Sequence, residues 1–429
     1  MGGFSSLELL PGDSRLIVAD LLGHRAVRRL GNIRQLGFTS HHQQSRLRHT
    51  VGSLELAAGM LGRASVTSPT IRNHLLAAIA LEDVGRAPFS NSLDPIFTAI
   101  SGMTDRHPID IERSIAVIEH LERVEGLLSR LGLSSAIVTG LLRGSVGWTG
   151  SQWIKSLVGG PVDIDRLQYV PGDIASADGH DYDVSGVARG IVLDGGSDST
   201  IIEMASLPAL LEFLLQRARL FMHVYYEPAK LAMEVVVRQF LRNLWDALRA
   251  MPEGWMDLTE PRSVEEFLRW TDSTLLDALV GERWELAPER LRSLRVLLWN
   301  GGLQVAEVRQ RGAISVDVDK IEALLAYTRE CLTQMEHCWV LSGDELPSLQ
   351  MYQPGSVSMV LNRRYRDLAA TNEAKAISVL TRKMRRCPLI VFPTVEFASV
   401  QAIIHESDLV LSSVIPLDGL RVFASDYLA

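Results

Sequence analysis

The sequence predicts a mostly α-helical protein that carries a small α+β unit at its C-terminal end. Two observations lead to this fold class. Over most of residues 14–350, apolar residues recur at intervals of three and four, which is the spacing of amphipathic helices. After about residue 350 the apolar residues form short β-branched runs, which are typical of buried strands. We therefore predict a helical core with extensions over residues 1–350 and a small α+β unit over residues 351–429.

Two segments of the core predict buried helices, and one segment between them predicts a loop. Residues 71–82 are almost wholly apolar after the first turn, so we expect this helix at the centre of the core. Residues 207–221 place apolar residues three and four apart and predict an amphipathic helix. Residues 171–200 are rich in Gly, Asp and Ser, which predicts a long loop containing at most a short strand at Gly190–Leu193.

The C-terminal unit contains three apolar runs and one helical pattern. The runs Val357–Leu361, Leu389–Phe392 and Leu409–Ile415 predict strands, and Glu396–Ser407 predicts a helix. Because β-branched runs need a second layer to cover them, we expect this unit to pack on the core. We also expect it to serve oligomer contacts or partner recognition, so we predict a homo-oligomer. A basic cluster leaves two interpretations open, a solvated helix face or a phosphate or nucleic-acid contact. Its members are Arg363, Arg364, Arg366, Arg382, Lys383, Arg385 and Arg386.

Composition excludes several classes of protein. The 429 residues are 47% hydrophobic and 22% charged, values that exclude wholesale disorder. The formal net charge of −8 argues against nucleic-acid binding through a global basic field. Only three cysteines occur, all after residue 330, so we predict a reducing compartment and a cytoplasmic protein. The sequence contains no uninterrupted stretch of about 18 apolar residues, so it predicts no membrane-spanning helix.

The residues able to perform chemistry lie in three separated segments rather than in a Walker, Rossmann, CxxC or HExxH motif. The segments are residues 46–52 (RLRHTVG), 80–91 (ALEDVGRAPFSN) and 163–173 (DIDRLQYVPGD). Glu82 and Asp83 close the most apolar helix, and a buried carboxylate needs a cation, a metal ion or several donors beside it. Together with His49 and a third carboxylate, they form a donor set suited to one divalent metal ion such as manganese, magnesium, iron or zinc.

Taken together, the motifs resemble the HD-domain superfamily, and within it the deoxynucleoside triphosphate triphosphohydrolase branch that includes bacterial dGTPases. The resemblance covers roughly residues 13–240 and rests on five motifs that occur in the family's order. They lie at residues 29–37, 46–52, 82–91, 163–173 and 217–228. The resemblance implies an HD-type helical core, a divalent metal cofactor and hydrolysis of a phosphoester bond in a nucleotide.

The metal site implied by the resemblance consists of His49, Glu82, Asp83 and Asp165. Glu82 departs from the pattern, because the family has a histidine at this position, the first residue of its His-Asp pair. A glutamate adds negative charge and hardens the site, which favours manganese or magnesium and makes the ion less acidifying for water.

The catalytic positions depart further from the pattern. Arg86 and Asn91 lie where the family has histidines that are candidates for proton transfer, and Asp94 matches the carboxylate that orients one of them. A further family histidine aligns loosely with Asp110. Arginine stays protonated and asparagine does not titrate, so a loss of about 10²–10⁴-fold in rate is expected if nothing replaces the histidines. We expect Arg86 to act as an electrostatic clamp instead.

The resemblance also implies a nucleotide-binding set. Its members are Gln35, Leu36, Arg46, Arg166, Tyr169, Asp173, Arg217 and Tyr225. The three arginines match positions that hold triphosphate oxygens, a task for which the guanidinium fork is suited. The two residues at 35 and 36 match a sugar-facing pair, and the other three match contacts to sugar and base.

These residues leave three hypotheses. The first is a divergent metal-dependent phosphohydrolase acting on a nucleotide. The second is a catalytically impaired pseudoenzyme that binds a nucleotide as a sensor or regulatory module. The third, iron-dependent oxidation at the same site, lacks the additional histidines that a second metal ion would need. The enzyme needs a metal ion at the site, whereas the binding module tolerates a site in which Arg86 pairs with Glu82 or Asp83.

Overall fold

The computed structural model describes most of the chain. The described residues are 6–39, 44–63, 68–96, 109–145, 153–193, 200–248, 258–280, 288–311, 318–341, 357–361, 364–368, 371, 375 and 388–420.

Helices make up most of the described residues, as the sequence predicts. The first six are α1 (Gly12–Gly23), α2 (Arg25–Arg28), α3 (Arg46–Arg63), α4 (Pro69–Leu81), α5 (Ile109–His120) and α6 (Glu122–Arg130). The next six are α7 (Ser135–Leu142), α8 (Trp153–Gly159), α9 (Ile164–Asp178), α10 (Ser185–Gly190), α11 (Leu207–Leu220) and α12 (Pro228–Leu248). The last five are α13 (Pro261–Phe267), α14 (Asp272–Val280), α15 (Glu289–Asn300), α16 (Val318–Gln334) and α17 (Phe397–Glu406). A π-helical turn, Phe221–Tyr225, follows α11 directly.

The strands form two small sheets. They are β1 (Thr200–Glu203), β2 (Leu303–Gln310), β3 (Trp339–Leu341), β4 (Val357–Leu361), β5 (Arg364–Asp367), β6 (Leu389–Pro393) and β7 (Leu409–Pro416). One sheet has the order β1-β4-β5, with β1 parallel to β4. The other has the order β3-β6-β2-β7 and is antiparallel throughout, with Leu303 opposite Pro393 and Val305 opposite Ile415. The mostly α fold with a small α+β portion is therefore confirmed.

The three strands and the helix predicted after residue 350 are present, but they do not form sheets by themselves. Strand β1 pairs with β4, and β2 pairs with both β6 and β7, so each sheet joins strands from before and after residue 350. Apolar side chains of α12 pack in one core with Val305 and Leu389 of the antiparallel sheet. The proposed division of the chain at residue 350 stays a prediction.

Helix α4 lies at the centre of the larger core, as its apolar sequence predicts. Ser68 caps its N-terminus by accepting a hydrogen bond from the Ile71 N–H at 3.4 Å, and Pro69 occupies the first turn. From Leu75 to Leu81 the side chains are buried against α1, α3 and α7. The polar residues that follow α4 are thereby held inside the molecule, next to α3.

The loop predicted over residues 171–200 is wrong for two segments, which are helical, and residues 194–199 lie outside the described residues. Helix α9 runs through Pro171 to Asp178, and α10 covers Ser185–Gly190. An interior proline costs about 3 kcal/mol because a backbone hydrogen bond is lost. Here the burial of Val170 and Ile174 on the same helix offsets that cost. The short strand predicted at Gly190–Leu193 is reduced to a single bridge between Ile191 and Ile202.

Two further observations bear on the expected class of protein. Among the helices in the described part of the chain, none combines the length and apolar character that crossing a membrane requires. Cys331 and Cys338 are free thiols. The basic cluster between residues 363 and 386 lies mostly outside the described residues.

Candidate active site

Three segments far apart in the sequence meet around His49. The imidazole Nε2 lies 2.6 Å from Asp165 Oδ1 on α9 and 3.9 Å from Asp83 Oδ2, which follows α4. On the other side of the ring, Nδ1 hydrogen-bonds to the amide oxygen of Gln168. Burial alone would lower the pKa of His49. The negative charge of Asp165, its hydrogen bond to the ring and the negative charge of Asp83 together raise that pKa above its ordinary value. His49, Asp83 and Asp165, three of the four residues expected to hold the metal ion, therefore lie close together.

Two arginines pair with Asp83. Arg86 Nε donates to Oδ1 at 2.8 Å, and Arg46 Nη1 donates to Oδ2 at 3.2 Å. Burial acts to raise the pKa of Asp83, but the two guanidinium groups outweigh it and hold the pKa below its ordinary value. Asp83 is therefore an ionised carboxylate with a cation on each oxygen.

Glu82 lies in an environment of the opposite kind. Its backbone carbonyl accepts a hydrogen bond from Ser114 Oγ, which ties the end of α4 to α5. Burial and the neighbouring charges of Asp165 and Asp83 raise the pKa of Glu82 well above its ordinary value. The pKa values of these two adjacent carboxyl groups are thus shifted in opposite directions.

Arg86 is at the centre of a wider ionic network. Its Nη1 lies 2.7 Å from Asp110 Oδ2 and 3.7 Å from Asp94 Oδ2, and it also donates to Asn91 Oδ1. Asp94 has a second cation, because Arg113 Nη2 donates to its Oδ1 at 2.5 Å. Burial acts to lower the pKa of Arg86, but the carboxylates raise it above its ordinary value. Arg86 is therefore joined to Asp110 by an ion pair and to Asn91 by a hydrogen bond.

A strained turn places Ser90 and Asn91 against Arg46. Phe89 and Ser90 have φ values of 54° and 56°, in the left-handed region that costs free energy for residues other than glycine. Arg46 Nε donates to Ser90 Oγ at 2.6 Å, and Arg46 Nη2 donates to Asn91 Oδ1 at 3.3 Å. Phe89 stacks on Phe38 with ring centroids 4.1 Å apart, which helps to hold the turn.

One carboxylate fixes this turn to the preceding loop. Asp272, at the start of α14 and fully buried, accepts a hydrogen bond from the Phe89 N–H at 2.6 Å and another from the Arg34 N–H at 2.9 Å. Between the two loops, Gly37 has φ 68°, and a Cβ there would lie 2.8 Å from the Phe89 carbonyl oxygen. Only glycine permits this approach, so the loop that carries Gln35 is pressed against the turn.

A cavity of about 300 Å³ opens beside this network. Ten of the predicted site residues line it: Gln35, Leu36, Arg46, Arg86, Asn91, Asp165, Arg166, Tyr169, Asp173 and Tyr225. Five others, His49, Glu82, Asp83, Asp94 and Arg217, lie behind the lining. We call one group of residues at the cavity the ionic wall. It consists of Arg46, His49, Asp83, Arg86 and Asn91.

A second group of residues at the cavity, which we call the aromatic wall, consists of Tyr169, Phe221 and Tyr225, with Arg217 behind them. Tyr225 and Tyr169 meet edge to face at 6.2 Å, and Arg217 lies over the Phe221 ring at 5.3 Å. Arg217 Nε donates to Tyr169 Oη at 3.3 Å, so this arginine supports a lining residue and is 6% exposed itself.

Asp173 also lines the cavity, next to Tyr225 of the aromatic wall. It is almost fully buried, and its Oδ2 accepts a hydrogen bond from the Tyr225 hydroxyl at 2.6 Å. Burial raises the pKa of Asp173 to about 6, against the lowering effect of that hydrogen bond. Nearby, Arg166 pairs with Asp163 and donates to the Gly160 carbonyl at 2.7 Å.

Four lining residues were not predicted from the sequence: Ser92, Phe221, Lys230 and Glu234. Ser92 Oγ donates to Glu234 Oε1 at 2.8 Å, and Lys230 pairs with the same oxygen one helical turn away. The one available signal was the i,i+4 spacing of Lys230 and Glu234 on α12. That spacing is common on solvated helices and does not by itself indicate a cavity.

The donors at His49 fit a divalent metal ion in chemical type. An imidazole nitrogen faces two carboxylates, and the Gln168 amide oxygen fixes the ring through its other nitrogen, as hydrogen-bond partners of metal-binding histidines do. Over the described ranges, no group of three or more His, Cys, Asp or Glu side chains is already spaced as a metal centre. The guanidinium groups on Asp83 share its oxygens with any ion that binds, and the metal site stays a prediction.

Comparisons with known sequences match only part of the chain. No family model matches it. The chain is 25% identical over 250 residues to the uncharacterized protein YwfO of Bacillus subtilis, which is 53% of this chain and 52% of that protein. It is 22% identical over 253 residues to the uncharacterized protein MG461 of Mycoplasma genitalium, 56% of this chain and 57% of that protein. The chain therefore spans about half the length of these curated relatives.

Comparisons with solved structures cover almost the whole chain. A hypothetical protein from Aquifex aeolicus has a TM-score of 0.67 at 15% identity and matches 90% of this chain and 95% of its own. A phosphohydrolase from Bacteroides thetaiotaomicron has a TM-score of 0.63 at 19% identity and matches 87% of this chain and 94% of its own. At these identities the likeness shows the fold. The chain therefore shares the fold of these two solved structures, one of which is a phosphohydrolase.

Proposed function

We propose that this chain is a divergent phosphohydrolase that binds a nucleotide through its phosphates and hydrolyses a phosphoester bond. One observation carries the proposal. A single cavity is lined both by the guanidinium groups of Arg46, Arg86 and Arg166 and by the rings of Tyr169 and Tyr225. Cationic forks suit phosphate oxygens, and aromatic rings suit the sugar and base.

The phosphate end of the ligand belongs at Arg46 and Arg166. Both side chains are held by carboxylates, Asp83 for Arg46 and Asp163 for Arg166, so their forks are oriented before a ligand arrives. Such preorganisation lowers the entropy lost on binding. Gln35 and the backbone around it close the same end of the cavity.

The sugar and base belong at the aromatic wall. The Tyr225 hydroxyl and the Asp173 carboxyl are already hydrogen-bonded, which leaves the ring faces and the second carboxyl oxygen for the ligand. Leu36 supplies an apolar surface at the same cavity. Arg217 acts here by holding Tyr169 rather than by direct contact with phosphate.

His49, Glu82, Asp83 and Asp165 would hold the divalent ion. A bound ion would polarise the phosphate and make a water molecule more acidic. Arg86, which lines the cavity beside Asp83, stabilises negative charge on the phosphate as the bond to the leaving group breaks. Asn91 donates and accepts hydrogen bonds but moves no proton.

A second candidate is nucleotide binding without turnover, as in a sensor or regulatory module. The observation in its favour is that Arg86 pairs with Asp83 and Asp110, so the residues at the proton-transfer positions serve an ion-pair network. A homo-oligomer and a cytoplasmic location stay predictions under either candidate.

A nucleotide panel measured with two variants separates the candidates. The full chain is incubated with each deoxynucleoside and nucleoside triphosphate in the presence of manganese, magnesium or EDTA, and products are separated by ion-exchange chromatography. We expect slow turnover of at least one nucleotide, reduced at least about 100-fold in Asp83→Asn, the range for loss of an electrostatic catalytic group. The matched control, Asp20→Asn, changes an exposed carboxylate on α1 and leaves turnover unchanged. Binding by equilibrium dialysis without any product would support the module, and neither binding nor turnover would contradict both.

A further inference from the structure

Arg86 is a cation shared by three carboxylates at the edge of the cavity. Its Nε donates to Asp83 at 2.8 Å, and its Nη1 lies 2.7 Å from Asp110 and 3.7 Å from Asp94. The amide oxygen of Asn91 accepts from the same Nη1 without adding charge. The guanidinium therefore offsets negative charge that is largely buried, where an uncompensated carboxylate is costly.

This cation is permanent and faces the ligand space. An arginine side chain stays protonated in proteins, and the Arg86 side chain is 12% exposed and lines the cavity. A phosphate that enters the cavity therefore meets a fixed positive charge next to Asp83. This holds whether or not a divalent ion is present.

The same carboxylate is one of the donors available to a divalent ion. Arg86 occupies Asp83 Oδ1 and Arg46 contacts Oδ2 at 3.2 Å, so an ion that binds Asp83 comes close to two guanidinium groups. Like charges repel each other at short range, and the repulsion is stronger in a partly buried site than in water. A divalent ion and Arg86 therefore compete for the Asp83 carboxylate.

We propose that Arg86 is the built-in cation of this site. It supplies the positive charge that binds phosphates in the absence of a divalent ion, and a divalent ion binds at Asp83 only in competition with it. The proposal deepens the proposed function and rests on it for the phosphate ligand. Its statement about competition with the ion stands on the Asp83–Arg86–Asp110 contacts alone.

The test uses inorganic triphosphate and Mn²⁺ as probes, because neither depends on the identity of the base. Binding of triphosphate to the full chain is measured by calorimetry in EDTA and in Mn²⁺, and binding of Mn²⁺ alone is measured by electron paramagnetic resonance. The variants are Arg86→Gln, Arg86→Lys and Arg143→Gln. The last removes a partly exposed arginine that pairs with Glu112 and Glu119, and it is the matched control.

We expect the wild type and Arg143→Gln to bind triphosphate with the same affinity in EDTA and in Mn²⁺. Arg86→Gln should bind triphosphate about 10–100-fold more weakly in EDTA, the range for a charge-assisted hydrogen bond, and should recover in Mn²⁺. It should also bind Mn²⁺ alone at least about 10-fold more tightly than the wild type. Arg86→Lys, which keeps the charge, should stay close to the wild type in EDTA.

Three results would overturn the proposal. The first is wild-type binding of triphosphate that requires Mn²⁺, a measurement that needs no variant and so does not depend on whether Arg86→Gln folds. The second is full affinity of Arg86→Gln in EDTA, and the third is equal Mn²⁺ affinity in the wild type and Arg86→Gln. If the wild type binds no triphosphate under any condition, the proposed phosphate ligand is wrong. The Mn²⁺ comparison still decides whether Arg86 competes with the ion.

Discussion

The ionic wall and the aromatic wall of the cavity are held together by different kinds of contact. On the ionic wall, Arg86 forms ion pairs with Asp83 and Asp110 and donates a hydrogen bond to Asn91. On the aromatic wall, Tyr169 and Tyr225 meet edge to face, and each hydroxyl takes part in a hydrogen bond. Breaking a buried ion pair is costly, because the charge that remains is left without compensation. We therefore expect substitutions on the ionic wall to have larger effects than substitutions on the aromatic wall.

Returning histidines to the ionic wall should have the largest effect. The triple variant Glu82→His, Arg86→His and Asn91→His restores titratable groups beside His49, and we expect turnover in Mn²⁺ to rise by about 10²-fold or more, the range for general acid–base catalysis. The measurement is product release from the nucleotide that the wild type binds most tightly. Unchanged turnover in a folded variant would mean that the ionic wall no longer aligns a phosphate.

Removal of Arg46 should damage both stability and binding. Its guanidinium bonds to Asp83, Ser90 and Asn91 while 4% exposed, so Arg46→Ala leaves a buried carboxylate with one cation fewer. We expect a loss of about 3–5 kcal/mol in the free energy of unfolding, measured by denaturant titration. The control Arg143→Ala breaks a partly exposed pair and should cost about 0–1 kcal/mol. A similar cost in both variants would show that the ionic wall contributes little to the fold.

Asp173 should make stability depend on pH in a direction opposite to that of an ion-paired carboxylate. Its pKa is raised to about 6 in the folded chain, so the folded state binds the proton more tightly than the unfolded state does. The contribution of Asp173 to the free energy of unfolding is therefore full below about pH 4. It is lost as pH rises through about 6, a change of about 2–3 kcal/mol. Asp173→Asn should remove this dependence in thermal melts between pH 4 and 7. An unchanged pH profile would mean that Asp173 is ionised across this range.

Arg217 should have the smallest effect of the four sites. It contacts the Tyr169 hydroxyl and the Phe221 ring rather than the cavity, so Arg217→Ala loses one hydrogen bond and a stacking contact. We expect nucleotide affinity to fall by about 0.5–1.5 kcal/mol by calorimetry. Tyr169→Phe tests the same contact from the other side and should give a similar loss. A loss above about 3 kcal/mol would place Arg217 in direct contact with phosphate.

The sequence predicted the convergence of His49, Asp83 and Asp165 because each belongs to a motif whose order and spacing are fixed by the helical core. It also predicted the helices and strands that carry strong periodic patterns. It did not predict that Arg86 pairs with Asp110, because long flexible side chains choose partners through three-dimensional proximity. Nor did it predict the helix through Pro171. Local composition favoured a loop there, and the burial of Val170 and Ile174 outweighed that preference.

The Asp272 carboxylate couples the loop at Arg34 to the turn at Phe89. Both of its oxygens are engaged, one by the Phe89 N–H and the other by the Arg34 N–H, and the side chain is fully buried. A displacement of either loop must therefore carry the other with it or leave a buried donor unsatisfied, at a cost of about 1–3 kcal/mol. Leu275 and Leu276, on the helix that Asp272 begins, belong to the apolar core shared with the antiparallel sheet. A displacement of the Arg34 loop or of the Phe89 turn would therefore also strain the start of α14, which packs against the antiparallel sheet.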